Sequence, residues 1–467
     1  MENRRGMVRY ALGLLFAFLL GLGIAGSQAS SQKAGDEEDI FEQLDLLMEV
    51  FERIRADYVE PVDDKKVLQG AIAGMLQSLD PHSSYLPPKS YDSLQFQMEG
   101  EYGGLGLEVT MEKGVVVVVS PIRGTPAERA GLKAGDYITH IDGKPVMGLS
   151  LDEAVEKMRG PVGTTITLTV VRRGEEEPFE VKIVREKIVV PSVEARIERG
   201  HIGYIAVSSF NEQTAKGIKK AIRSFRAKHK DDLIGVVLDL RNNPGGLLDQ
   251  AVAVADEFLA RGEIVSVRGR HERDNERFQA TAGDLTHGLP MIVLVNAGSA
   301  SASEIVAGAL QDHRRAVILG EQTFGKGTVQ HILPLGPGRG ALRLTTARYY
   351  TPSGRSIQEL GITPDIPVLT PANGHRFKPA RERDLRGHLR NDQISSEDGA
   401  GVPPADGRED EGERQPEAPE MVDRDVQLEY ALDLLEGVAK AVVGTRTADS
   451  ADTAGSADAA GLLSNGP

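Results

Sequence analysis

Apolar positions along the chain change their period several times, and each change marks a change of architecture. Leu44, Leu47, Phe51, Ile54 and Tyr58 recur at alternating spacings of three and four, which puts them on one helix face. Pro61 ends that helix, a second apolar stretch runs from Val67 to Leu79, and Asp80-Pro81-His82-Ser83 reads as a turn. His82 in that turn is expected to bond local backbone. From residue 98 short β-rich runs take over: Val115 to Val119, Tyr137 to Ile141 before the turn Asp142-Gly143, and Ile166 to Val171. Between them Leu151, Ala154, Val155 and Met158 sit at helical spacing.

The second half reads differently. Ile202 to Val207, Leu233 to Leu240 and Met291 to Val295 are continuous apolar runs, the pattern of buried strands. They alternate with helical patterns at Ala215 to Phe225, Leu247 to Leu259 and Ser303 to Leu310. That order predicts an α/β core with mostly parallel strands. Residues 371–423 lose their large aliphatics and fill with Pro, Gly, Glu, Asp and Arg, a composition that predicts disorder. One more amphipathic helix follows, with Leu428, Ala431, Leu432 and Leu435 on a face, and then a tail of Ala, Ser, Gly and Asp.

The chain's 467 residues are too many for one ordinary domain. Its divisions are expected at 1–29, a signal peptide or membrane anchor; 30–38, a linker; 39–97, a helical module; 98–188, a β-rich domain; 189–370, the α/β core; 371–423, a disordered insertion; 424–445, a helix; and 446–467, a disordered tail. Arg4, Arg5 and Arg9 precede the apolar run from Tyr10 to Ile24, and small residues follow at the spacing a signal peptidase reads. The run falls short of the roughly 20 residues a spanning helix needs. Cleaved signal is the first reading and uncleaved anchor the second; either puts the body outside the cytoplasm, in the periplasm or cell envelope. A net charge of −15 with no basic cluster argues against a nucleic-acid partner, and the lack of cysteine removes disulfides, a thiol nucleophile and cysteine-held metal.

Candidate chemistry gathers where two strands hand over to helices. After Leu238-Asp239-Leu240 comes Arg241-Asn242-Asn243-Pro244-Gly245-Gly246; after Leu294-Val295 comes Asn296-Ala297-Gly298-Ser299-Ala300-Ser301-Ala302-Ser303-Glu304. Small residues at a helix N-terminus leave N–H groups and the helix dipole free to stabilise developing negative charge. Two such termini side by side make an oxyanion hole. Three serines compete as nucleophile, and a base must serve one of them. His313 lies roughly 18 Å from Ser301 along a continuing helix, too far to help. Lys326, in Phe324-Gly325-Lys326-Gly327-Thr328, follows a helix and a returning strand that can bring it back beside its start. An amine works as a base once burial or nearby charge favours its neutral form. Gln330, four residues on, would share its face of a strand and orient the amine. Taken alone, Gly-Lys-Gly also reads as a solvated turn and the serines as helix caps. A phosphate loop is not matched around Lys326.

Two resemblances sharpen this. The loop Tyr102-Gly103-Gly104-Leu105-Gly106-Leu107, then Ala130-Gly131-Leu132, Gly135-Asp136 and the Leu151 helix, resembles a PDZ domain, which would bind a peptide C-terminus in the N–H nest of Gly103, Gly104, Leu105, Gly106 and Leu107. The serine run, Ala307-Gly308-Ala309-Leu310-Gln311-Asp312, Thr323 to Gln330, Tyr349-Tyr350-Thr351-Pro352-Ser353-Gly354-Arg355-Ser356-Ile357-Gln358 and Asn243-Pro244-Gly245-Gly246 are similar to the carboxyl-terminal processing, or tail-specific, proteases. This resemblance covers about residues 40–370. It implies a multidomain α/β protein: a crotonase-like protease core, an inserted PDZ domain and an N-terminal helical module. Carried over by position, it implies Ser301 as nucleophile, Lys326 as general base, Gln330 as its orienting partner, and an oxyanion hole from the N–H of Ala302 and of Gly245 or Gly246. It implies no metal and no organic cofactor. Substrates would be proteins with free, apolar C-termini; an envelope adaptor and self-association through the N-terminal helices stand as further partners. Two alternatives stand beside the protease: a catalytically silent PDZ scaffold, and a crotonase-like enzyme acting on acyl thioesters.

Overall fold

The computed structural model describes residues 40–229, 232–281, 283–369, 379–394 and 425–440. The expected signal segment and the tail after 445 lie outside them. The chain divides into two compact units, Met1–Met75 and Leu76–Pro467. In the first, a helix over 40–57 leaves Phe41, Leu44, Leu47, Ile54 and Tyr58 exposed. A second helix, Asp64–Gln77, starts there and ends just past the division.

The second unit is built on a six-stranded sheet ordered Val193–Glu198, Ile202–Val207, Gly235–Asp239, Met291–Val295, Val317–Gly320 and Ile366–Pro367. Only the first pair is antiparallel. The three strands read as apolar runs are buried along almost their whole length, because layers cover both faces. One face carries the helices Thr214–His229, Leu248–Asp256 and Ala302–Asp312. The other carries the helix over 426–440 through Leu428, Ala431, Leu432 and Leu435, the face its spacing predicts. Arg241 ties that helix down by pairing with both Asp239 and Asp425.

A second, antiparallel sheet joins Ser84–Leu86, Ala341–Tyr350, Glu263–Gly269 and Glu276–Gln279, with Thr328–Pro334 also on Ala341–Tyr350. Residues 84–86 therefore belong to the sheet of this unit, although the periodicity groups them with the N-terminal helices. The β-rich region forms its own antiparallel sheet around a separate core that includes Val116, Ile138, Ile166 and Leu168. The strand entering it, Glu101–Gly104, pairs with the strand leaving it, Glu186–Val189, so the region is an insertion closed at its neck.

Disorder does not hold across 371–423. Residues 379–394 are folded against the core, with Glu382 and Asn391 buried. Their polar side chains find buried partners one by one, and a composition average carries no trace of that.

Candidate active site

Two loops at the carboxyl ends of adjacent parallel strands are bonded into one platform. Asn242 and Asn296 exchange hydrogen bonds, with Asn296 Nδ2 donating to Asn242 Oδ1 at 2.9 Å and Asn242 N–H donating back at 2.9 Å. Asn243 is fully buried: its Nδ2 donates to the Val207 carbonyl, and its own carbonyl accepts from Ala300 N–H and Ser303 Oγ. Ser299 Oγ donates to the Leu240 carbonyl at 2.8 Å. Of the three serines, the outer two are therefore spent on backbone carbonyls.

Ser301 differs in backbone and in hydroxyl. It caps the Ala302–Asp312 helix at φ 55°, ψ −111°, a region that non-glycine residues rarely occupy and that clusters at functional sites. Its hydroxyl meets the buried Tyr349 hydroxyl, whose pKa burial pushes up to about 12. Beside it, Ala302 N–H has no acceptor among the described residues. Gly245 packs so closely that a Cβ there would meet Ala300 O, Ser301 Cβ and Ala302 N within 3.0 Å. The N–H of Gly245 is already taken by Asn243 Oδ1 at 2.9 Å, whereas that of Gly246 has no acceptor among the described residues. Between the two glycines left open by the sequence, Gly246 has the available donor.

Lys326 arrives on a loop that Glu304 holds. This fully buried carboxylate accepts from Ser301 N–H at 2.7 Å and Lys326 N–H at 3.0 Å on the same oxygen, Oε2. Its other oxygen accepts from Gly325 N–H and the Thr323 hydroxyl. Burial pushes the Glu304 carboxyl up to about 7, and these four donors oppose the rise. Residues 301 and 326 thus share one anchoring atom. Ser301-x-x-Glu304 is a capping pattern visible in the sequence, and it could have singled Glu304 out.

The Lys326 amine is held below the ordinary lysine range by burial first; Glu382 raises it, Arg343 lowers it, and Glu304 and Asp80 raise it. No hydrogen bond joins it to Ser301 Oγ or to Gln330 among the described residues. Lys326 and Gln330 do not share a strand: the strand begins at Thr328, after Lys326, and its register slips between Val329 and Gln330. Gln330 Nε2 instead donates to the Thr328 and Thr345 hydroxyls, and the Thr345 hydroxyl donates on to Asp80. His313 sits at the far end of the helix, its Nε2 on the Glu263 carbonyl. His82 does not bond local backbone: its Nε2 lies 2.8 Å from Glu382 Oε2, across 300 residues of chain.

In the inserted domain the candidate nest narrows. Gly103 and Gly104 belong to the neck strand, paired with Lys187 and Glu186. Leu105 and Gly106 N–H have no acceptors among the described residues. Gly106 has φ 77°, and a Cβ there would strike Thr125 at 2.3 Å, so glycine is required. A cavity of about 30 Å³ lies between this loop and the Leu151–Met158 helix, lined in part by Leu105, Leu107, Val155 and Met158.

Sequence profiles of three families match. Peptidase family S41 matches residues 201–368, the PDZ domain 117–172, and the activating protease CtpB N-terminal domain 23–90. The carboxy-terminal-processing protease of Bartonella bacilliformis is 53% identical over 386 residues, 81% of this chain and 88% of that one. The chain belongs to the carboxy-terminal-processing proteases. A Staphylococcus aureus protein named a probable CtpA-like serine protease is 40% identical over 331 residues, 70% of this chain and 65% of that one. Among solved structures, a photosystem II D1 C-terminal processing protease is 33% identical, with a TM-score of 0.40, covering 67% of this chain and 84% of its own. The protein is accordingly a multidomain α/β protease with a PDZ domain, and the acyl-thioester alternative is set aside.

Proposed function

We propose that this chain is an exported protease that cleaves proteins selected by their C-terminal tails, with Ser301 as nucleophile and the neutral Lys326 amine as general base. The observation that carries this is the single Glu304 oxygen that binds both Ser301 N–H and Lys326 N–H. It ties a hydroxyl that, unlike those of Ser299 and Ser303, donates to no backbone carbonyl among the described residues to the loop of a lysine whose burial favours the neutral amine.

In this reading the Lys326 amine takes the Ser301 proton as Oγ attacks the scissile carbonyl. The bond to Oγ forms, the carbonyl oxygen becomes an oxyanion, and the N–H groups of Ala302 and Gly246 stabilise it at the helix N-terminus. The ammonium then gives its proton to the leaving amine. Water, deprotonated by the same amine, adds to the acyl carbon, the C–Oγ bond breaks, and the ammonium returns the proton to Oγ. The approach of Nζ to Oγ tightens when substrate binds, as catalytic contacts commonly do. Gln330 orients the amine through its amide oxygen, since its amide nitrogen is held by two threonines.

Tail selection rests on the free Leu105 and Gly106 N–H groups, which suit a terminal carboxylate, beside a small apolar cavity for its side chain. Export rests on the arginine-flanked apolar run at the N-terminus. Among the described residues no helix is long and apolar enough to cross a membrane. The exposed apolar residues of the 40–57 helix support self-association or adaptor binding. Incubation of the protein with unfolded casein tests the catalytic reading: fragments that depend on Ser301 are expected. Their absence from the wild-type digest would favour a silent PDZ scaffold.

A further inference from the structure

Residues 379–394 follow the matched S41 region, yet they wrap the loop that carries Lys326. Glu382 N–H donates to the Phe324 carbonyl at 3.1 Å. The Arg381 guanidinium donates to the Gln322 side-chain oxygen. Fully buried Glu382 accepts from His82 Nε2 and from Gln358 Nε2 at 3.0 Å. Gln358, also fully buried, uses its own oxygen to hold Gly327 N–H at 2.9 Å, next to Lys326. The rest of the segment is fastened just as firmly. Asn391 Nδ2 donates to the Gln358 carbonyl, His388 Nε2 lies 2.6 Å from Glu359, and Gln393 bonds Ser356 and Gly354.

We propose that residues 379–394 are a further wall of the active site, in which Glu382 is a positioning residue: it holds the Gly325–Gly327 loop through Gln358 and through its own N–H on the Phe324 carbonyl. This rests on the reading of Lys326 as base. Of the charged groups acting on Lys326, Glu382 comes first, opposed by Arg343 and joined by Glu304 and Asp80. His82 stands behind Glu382, its Nε2 2.8 Å from Oε2. The wall explains why a buried carboxylate, costly to desolvate, is carried by a segment whose composition otherwise reads as disordered.

The sign of the effect is fixed. A negative neighbour favours the ammonium, so removing it makes the amine neutral at lower pH. Glu382→Gln keeps size and an acceptor for His82 and Gln358 but removes the charge. Peptide kcat/KM measured against pH is expected to keep a rising limb whose midpoint moves down by about one pH unit. A midpoint that stays in place, or moves up, overturns the proposal. If Glu382→Gln does not fold, Glu382→Asp replaces it: the charge stays but the reach to both partners is lost. Its limb is then expected to hold its position while kcat falls about ten- to hundredfold; wild-type kcat overturns the proposal. Lys326→Ala, run in parallel, separates the two claims. An active Lys326→Ala refutes the base itself, whereas an inactive one with unaltered Glu382 variants refutes only the wall.

Discussion

Three serines stand within five positions of one another, and what each hydroxyl does in the fold distinguishes them. Ser299 and Ser303 satisfy buried carbonyls of Leu240 and Asn243, so replacing either by alanine is expected to cost about 1–3 kcal/mol of stability while leaving cleavage measurable. Ser301→Ala should melt like the wild type and cleave nothing. Thermal denaturation beside peptide hydrolysis checks the set, and an inactive Ser303→Ala beside an active Ser301→Ala would move the nucleophile. Glu304 adds a second prediction. Glu304→Gln turns an amide N–H₂ toward backbone N–H groups that need an acceptor, and kcat is expected to fall at least about a hundredfold, with a lower melting temperature. Wild-type kcat in that variant would show that the shared anchor is dispensable. The sequence displays Ser301 and Lys326 through their small, glycine-flanked surroundings. It displays Glu304 only as a cap, and it hides Tyr349, whose contact with Ser301 comes from a strand 48 positions on.

Elements were legible where one periodicity ran unbroken. Ile202–Val207 and Met291–Val295 match their apolar runs to the residue, because strands covered on both faces need no polar positions. Gln330 shows the opposite case: an irregularity in its strand's register breaks the alternation on which its placement beside Lys326 was argued. Ala341–Tyr350 is half-buried along most of its length and gave no clean pattern, so the second sheet was not anticipated. In the PDZ element, the nest argument predicts the effect of charge. Amidating the C-terminus of an apolar-tailed substrate removes the carboxylate that Leu105 and Gly106 N–H would bind, and affinity should fall by about 1.5–3 kcal/mol, roughly 10- to 150-fold. Gly106→Val should reproduce the loss, since its Cβ would strike Thr125. Titration of the free and amidated peptide pair against both proteins checks this, and equal affinities for the wild type would remove the nest from tail recognition.

At the scale of the whole molecule, the site is assembled from segments far apart in sequence: the turn at 80–83, the two strand-end loops, the Lys326 loop and residues 379–394. Composition reads the last of these as part of a disordered insertion, because Glu382, Gln358 and His82 acquire meaning only through contacts across the fold. Burial within this assembly favours the neutral form of one lysine amine against the carboxylates around it, on a loop tied to one serine through Glu304. The most direct test is the cleavage rate of an unfolded substrate, measured from about pH 6 to pH 10 for the wild type and for Lys326→Arg. A guanidinium stays protonated throughout that range and cannot accept the serine proton. The account predicts a wild-type rate that rises with pH through a midpoint below the ordinary lysine value of about 10.4, and no cleavage by the arginine variant at any pH. An active Lys326→Arg, or a wild-type profile whose rising limb follows a histidine and disappears in His313→Ala, would contradict it.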